Sequence, residues 1–303
     1  MLTRLKVQNF RSIRDLDLRL SPLTALVGPN GSGKSTVLAA LDRLVALRPT
    51  WQHLPAEVRI ERMDAQDRSS LSVRPLGETN DRHGGHFNPT AQHLRLNLDR
   101  MREPIAINRA EHLSTDGGNL ANLISTLPRV EQDRLARELS SRVAGISDVD
   151  LVPSGASGHH QLRFHDRWSK AEFAPDEVSD GTILMLAFLA LRHQPNVPDL
   201  VTIEEPERGL HPYLLGELVA FLRSLTEGPR PLQIVVATHS AELLEHMKPE
   251  EVRFLSRSPD DGNVLVREAD PTNPDWVRFY REFDDSLGNA WLSGSLGGVP
   301  STN

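Results

Sequence analysis

Cysteine is missing from all 303 residues, which excludes disulfides, thiol chemistry and cysteine-based zinc sites. That lack fits a cytoplasmic protein. Long apolar runs are missing too. The longest, Ile183 to Leu191, falls far short of the ~18 residues that a membrane span needs. The start, Met1 to Phe10, lacks the apolar core of a signal peptide. There is no excess of positive charge: 34 Lys and Arg face 41 Asp and Glu, for a net charge of −7. The surface as a whole therefore does not attract nucleic acid, although a local groove can still be basic. Internal repeats and low-complexity blocks are absent as well. The length suits one large domain or two lobes, with a core that needs no staples.

What is present is a phosphate-binding loop. Residues 28–36 read Gly28-Pro29-Asn30-Gly31-Ser32-Gly33-Lys34-Ser35-Thr36. The apolar run Leu23 to Val27 before it reads as a buried strand, and Lys34 to Leu47 repeats apolar residues at helical spacing. Strand, glycine turn and helix form the context that makes the pattern a site. Gly28, Gly31 and Gly33 have no Cβ, so the backbone can curl and aim its N–H groups, including those of Asn30 and Ser32, at a di- or triphosphate. The helix contributes its positive dipole end. Lys34 is expected along the β and γ phosphates, Ser35 on Mg²⁺ and Thr36 near the α phosphate.

Residues 2–9 and 14–20 alternate and read as antiparallel strands. From Pro49 to Pro104 the pattern weakens, with strand candidates at Leu71 to Val73 and His93 to Leu98 on either side of the polar stretch Gly77 to Pro89. Residues 116–143 read as a helix in two pieces broken near Pro128. Strands are expected at 148–153, 161–165 and 170–174. Beyond Ser179 helix and strand alternate: helix 181–192, strand 200–204, helix 212–225, strand 232–237, helix 241–247, strand 251–257. That order predicts a parallel sheet covered by helices. Two strand or helix fragments and a loose end, Ser293 to Asn303, follow.

Leu200-Val201-Thr202-Ile203-Glu204-Glu205 is a run of four strand-forming residues followed by two acids. A buried parallel strand would carry both carboxylates to its carboxyl end, where open α/β sheets bind ligands. Glu204 then holds Mg²⁺ and Glu205 orients or deprotonates the attacking water.

The run Glu204 to Pro212 resembles the Walker B segment and D-loop of ABC-type ATPases of the SMC, RecF and OLD group. Val178-Ser179-Asp180-Gly181-Thr182 resembles their signature, Ile234 to Ser240 their switch strand with His239, and Asn9-Phe10-Arg11-Ser12-Ile13 their first hairpin. The ending Trp291 to Pro300 is similar to the tails of stand-alone members. The resemblance covers about residues 1–257. It implies an α/β, two-lobed ABC-type head with a mixed or antiparallel N-terminal sheet and a parallel core sheet flanked by helices. The ATPase domain would run over 1–270, with lobe I at about 1–175, a variable region at 50–115, a helical stub at 116–146, and lobe II at about 176–270. Residues 271–303 form a tail able to dock a partner. The resemblance also implies ATP and Mg²⁺, and a homodimer in which Ser179, Asp180 and Gly181 close on the γ phosphate bound by the other subunit, which His239 contacts from its own side. Arg11 and Ser12 read either as an exposed turn or as a phosphate contact.

Two departures stand out. Glu204 occupies the place of the usual Asp, and its extra methylene works against the strict octahedral geometry of Mg²⁺. The Q-loop has two candidates, Gln66 and Gln92. The stub at 116–146 carries no sustained heptads, so long-range DNA tethering by a coiled coil is not expected. About 45 residues follow Arg257, too few for a TOPRIM nuclease domain. His83, His86, His159 and His160 lack a third ligand at metal-binding spacing, and Asp260-Asp261 and Asp284-Asp285 read as surface charge. The expected activity is ATP hydrolysis that regulates a separate effector, a nuclease of TOPRIM or related type, in prokaryotic defence or repair, with nucleic acid engaged indirectly or locally and no membrane. The alternatives are a slow-hydrolysing scaffold and a transporter ATPase subunit.

Overall fold

Two kinds of strand build the protein, distinguished by how their side chains are buried. The computed structural model describes residues 1–45, 57–64, 67–73, 82–83, 90–155, 158–228 and 230–297. Strands β1 (Arg4–Phe10) and β2 (Ile13–Arg19) pair antiparallel, and β2 buries Ile13, Leu16 and Leu18 while its acids face outward. Such alternation belongs to a sheet with one wet face. By contrast β3 (Leu23–Val27) is buried at every position, as a strand covered on both sides must be.

The first pair extends through β4 (Glu57–Asp64), β5 (Asp67–Val73) and β6 (Arg82–His83) into a five-stranded sheet ordered β2-β1-β4-β5-β6. A second sheet is built around β3. Its other members are β7 (Ala91–Leu94), β12 (Leu200–Glu204), β13 (Gln233–Thr238), β14 (Val252–Arg257) and β15 (Val264–Glu268). The order is β15-β14-β3-β13-β12-β7, with β12, β13, β3 and β14 mutually parallel and β15 an antiparallel edge. Helix α1 (Lys34–Val45) sends Val37, Leu38 and Leu41 into one core with Leu5, Val7, Leu26 and Val235, so it packs against strands of both sheets. Buried Gln233 is fully employed: its amide accepts from Leu2 N at 2.6 Å and donates to Leu2 O at 2.6 Å, which ties the first residues to the core.

Elsewhere β8 (Ile105–Ala106), β9 (Ile146–Pro153), β10 (His159–Asp166) and β11 (Glu172–Phe173) form a small antiparallel sheet. It accompanies helices α2 (Leu98–Arg102), α3 (Leu120–Thr126), α4 (Arg129–Arg142) and α5 (Asp180–His193). Every residue of α5 from Gly181 to Leu191 is buried, which explains its long apolar run. The remaining helices are α6 (Pro212–Leu225), α7 (Ala241–Leu244), α8 (Pro274–Arg281) and α9 (Leu287–Leu292).

The described chain divides into two compact units, Met1–His93 with Pro198–Pro206 and Leu222–Asn303, and Leu94–Val197 with Glu207–Phe221. The boundary therefore does not fall at a single point near residue 175. The second sheet draws its strands from three stretches of the chain, and the second unit is made of the two segments between them. The expected strand at 93–98 is β7, ending at Leu94. The chain then enters α2, because the Asn97 side chain accepts from Arg100 N and caps a helix. The expected strand at 170–174 shrinks to two residues, and among the described residues the fragments after Arg257 are one strand and two helices. Gln66, His86 and Gly77 to Asp81 lie outside the described residues, and so does the end of the helix expected to reach Leu47.

Candidate nucleotide-binding site

At the carboxyl ends of β3 and β12 the first unit opens a cleft of about 180 Å³. Its walls are Asn30, Gly31, Gly33, Lys34, Ser35, Thr36, Glu204, Glu205, Ala237 and Arg257. The loop bends where its glycines allow. Gly33 has φ +106°, and a Cβ there would stand 2.6 Å from Val264 Cγ2; a Cβ on Gly28 would collide with the Leu255 carbonyl. Lys34 Nζ donates to the carbonyls of Gly28 at 2.6 Å and Pro29 at 2.9 Å. Ser32 Oγ is buried with no hydrogen-bond partner among the described residues. A buried hydroxyl donor without an acceptor fits a phosphate oxygen.

Glu204 ends β12 opposite Ala237 of β13, and Glu205 leaves the strand with φ +48° while its N–H donates to Ala237 O at 2.8 Å. His239 follows β13, and its Nδ1 lies 3.5 Å from Glu205 Oε1. Beneath them, His93 Nδ1 is 2.8 Å from Thr202 Oγ1 and its Nε2 is 4.0 Å from Glu204 Oε1. Burial pushes the Asp42 carboxyl of α1 above the ordinary carboxylate value, although His93 pulls it the other way. Ser35 Oγ and the Glu204 carboxylate are hard oxygen donors of the kind Mg²⁺ prefers.

The structure thus brings Lys34, Ser35, Thr36, Glu204 and Glu205 to one cleft, with His239 against Glu205. Ser12 reaches the loop through Arg257, which donates from Nη2 to Ser12 Oγ at 2.9 Å and from Nε to Gly31 O at 2.8 Å. Arg11, at φ +52°, lies over the Phe10 ring at 5.6 Å. Ser179, Asp180 and Gly181 belong to the second unit. There Ser179 caps α5 by accepting from Thr182 N at 3.3 Å, and a Cβ on Gly181 would meet Leu214 Cδ1 at 2.9 Å. Arg102 holds this turn, donating to Asp180 Oδ1 at 2.7 Å and to the carbonyls of Val178 and Pro175. Gln92 is a buried residue of β7. His160 bonds to Asn122 Oδ1 at 2.7 Å, and no metal-binding cluster occurs among the described residues. Reading the sequence missed Arg257, Arg102 and His93. Only Arg257 carried a signal, as the last residue of an expected parallel strand beside the loop strand.

These features define a P-loop ATPase fold of the SMC, RecF and OLD kind. Residues 47–245 match the family described as "AAA domain, putative AbiEii toxin, Type IV TA system", and residues 1–73 match "AAA ATPase domain". The first match covers more than half of the chain, which belongs to that family. The OLD nuclease of Thermus scotoductus is 27% identical over 354 aligned residues, covering 92% of this chain. The chain spans 66% of that nuclease's length. The L-cystine transport ATP-binding protein TcyN of Escherichia coli is 22% identical over 89% of this chain and 90% of its own. Among solved structures, an SMC head bound to the C-winged helix domain of ScpA shares the fold with a TM-score of 0.60 at 15% identity, over 88% of this chain and 97% of that one. The SMC head domain from Thermotoga maritima gives 0.55 at 16%, over 89% and 99%.

Proposed function

We propose that the chain is a Mg²⁺-dependent ABC-type ATPase whose ATP-gated homodimerisation regulates a separate effector, a nuclease of TOPRIM or related type, in prokaryotic defence or DNA repair. The observation that carries this reading is the single cleft lined by Lys34, Ser35 and Thr36 from one side and by Glu204 and Glu205 from the other.

In this reading Lys34, Ser32 and the loop N–H groups hold the β and γ phosphates, and Thr36 reaches the α phosphate. Ser35 and Glu204 hold Mg²⁺, which supplies charge neutralisation on the phosphate oxygens when bound. Glu205 orients the attacking water and takes its proton, while His239 keeps the Glu205 carboxylate in place. The Ser179–Gly181 turn serves the partner subunit's nucleotide. Kinship with a longer nuclease supports a nuclease as effector, and the net charge of −7 supports contact with nucleic acid that is indirect or local. Residues 50–115 and the stretch after Asp270 are the proposed docking regions, since the nucleotide chemistry leaves them free.

A second reading, a transporter ATPase subunit, draws on the alignment across 90% of TcyN. No described helix is long and apolar enough to cross a membrane, so this reading needs a membrane partner that co-purifies.

Phosphate release from Mg-ATP tests the first reading. Wild type turns over, Lys34→Ala loses nucleotide binding, and Glu205→Gln binds while hydrolysis falls about 10²–10⁴-fold. A wild-type protein that fails to bind ATP overturns it.

A further inference from the structure

We propose that Arg257 is a positioning residue for the triphosphate: it sets the crest of the phosphate-binding loop and locks that crest to the first hairpin. The inference rests on the nucleotide-binding reading of the same cleft. β14 lies parallel to β3 with Phe254 opposite Val27, so Arg257, three residues further, stands level with the loop rather than with the strand. Its guanidinium makes four hydrogen bonds to three separate pieces of the first unit. Nε donates to Gly31 O at 2.8 Å, Nη1 to Ser12 O at 2.9 Å and Gly262 O at 2.8 Å, and Nη2 to Ser12 Oγ at 2.9 Å.

The geometry gives this contact leverage. Gly31 has φ +81°, and a Cβ built there would touch nothing within 4 Å, so side-chain packing does not fix the crest. The peptide plane from Gly31 to Ser32 is rigid and trans, so fixing the Gly31 carbonyl also fixes where the Ser32 N–H points. That N–H donates to Pro29 O at 3.2 Å and closes the small ring that shapes the loop. A planar fork with five donors can meet all four of these acceptors at once; an ammonium, with three donors, cannot. The hairpin side is braced as well, because Asn263 accepts from Arg14 N at 3.0 Å and donates to Asp15 O at 3.0 Å. Arg257 also lines the cleft, so its charge adds to the attraction for phosphates without touching the reacting atoms.

The test is a titration with a fluorescent ATP analogue plus Mg²⁺, followed by steady-state hydrolysis, on wild type, Arg257→Ala, Arg257→Gln and Arg257→Lys. Charge-assisted hydrogen bonds of this kind correspond to a loss of about 10–100-fold in affinity. The expected result is that loss in Kd and KM for all three variants, with kcat at saturating ATP within about 3-fold of wild type. Methylguanidinium restores binding to Arg257→Ala and not to Lys34→Ala. Ser12→Ala weakens binding less, and its effect vanishes in the Arg257→Ala background because the two share one contact. Thermal melts show which variants are folded, and Arg257→Gln, which keeps an amide donor, serves if Arg257→Ala is not. Wild-type affinity in Arg257→Ala and Arg257→Gln overturns the inference and leaves the nucleotide site intact. Failure of wild type to bind overturns the reading beneath it instead.

Discussion

Glu205 Oε1 and His239 Nδ1 stand 3.5 Å apart just beyond the carboxyl ends of neighbouring parallel strands, and Glu205 reaches that place through a left-handed backbone at φ +48°. In an extended strand, successive side chains point to opposite faces. Glu204 and Glu205 are successive, yet both line the cleft. The positive φ breaks the alternation, and both carboxylates meet the same cleft. A non-glycine residue held there stores strain, about 1–2 kcal/mol.

Glu205→Gly should release that strain. Its unfolding free energy is expected to rise by about 1 kcal/mol in a denaturant titration, while ATP hydrolysis falls about 10²–10⁴-fold through loss of the carboxylate. Glu205→Gln should lose hydrolysis without gaining stability. A glycine variant no more stable than wild type contradicts stored strain.

The loop glycines should respond unequally to alanine. At Gly28 a Cβ collides with the Leu255 backbone oxygen, so Gly28→Ala must push β3 away from β14, and loss of both stability and ATP binding is expected. At Gly31 the space is open and only the φ of +81° resists, so Gly31→Ala should cost about 1–2 kcal/mol. Parallel melts and nucleotide titrations compare the two. Equal damage from both contradicts the geometry.

Much of this architecture was legible because burial is written in the side chains. Leu23–Val27, Leu200–Glu204 and Pro212–Leu225 fall where the pattern placed them, since a strand covered on both faces must be continuously apolar and a surface helix must carry a stripe. Pro128 starts α4 after α3 as expected, because its ring suits a helix start and not an interior. Less legible were features that depend on distant partners. Arg257 meets Ser12 across 245 positions of sequence and Arg102 meets Asp180 across 78. No local pattern marks an arginine that will span such a gap. The α2 start was hidden for the opposite reason: one Asn97 cap outweighs the strand-like look of 93–98.

The second unit should show a pH-dependent clasp. His193, nearly fully buried, lies with Nδ1 2.9 Å from Glu131 Oε2 and Nε2 3.3 Å from Glu138 Oε1, joining α5 to α4. Burial opposes the imidazolium, but Glu138 and Glu131 outweigh it and raise the His193 pKa above its ordinary value. Its bond to His193 holds Glu131 below the usual carboxylate range. Glu138 also ends below that range, because His193, Arg192 and Arg142 outweigh its burial. The raised imidazole stabilises the fold fully below its unfolded pKa of about 6.5 and loses that contribution as pH rises through the folded value. The depressed carboxylates stabilise above about 4.3 and lose their contribution as pH falls through their folded values. His193→Gln should therefore cost most stability near about pH 5.5 and clearly less near about pH 8.5. Chemical denaturation at both values measures the difference, and a cost independent of pH rejects the clasp.

Dimerisation offers the sharpest separation of the two units. Arg102 donates to Asp180 Oδ1 at 2.7 Å and to the Val178 and Pro175 carbonyls, so one guanidinium shapes the turn whose Ser179 caps α5. All of these groups lie in the second unit, whereas the phosphate-binding loop lies in the first. Arg102→Ala should leave ATP binding by the single subunit unchanged in titration, because nothing that lines the cleft is altered. It should weaken the proposed ATP-dependent dimer, followed in a Glu205→Gln background, by about 10-fold or more, the order expected for losing a charge-assisted contact. Ser179→Arg, which places bulk and charge in the turn itself, should abolish that dimer. Light scattering with and without ATP reads both. A dimer indifferent to ATP and to both substitutions removes the basis for closure of this turn on a partner's nucleotide, whereas loss of ATP binding in Arg102→Ala points to damage transmitted into the first unit.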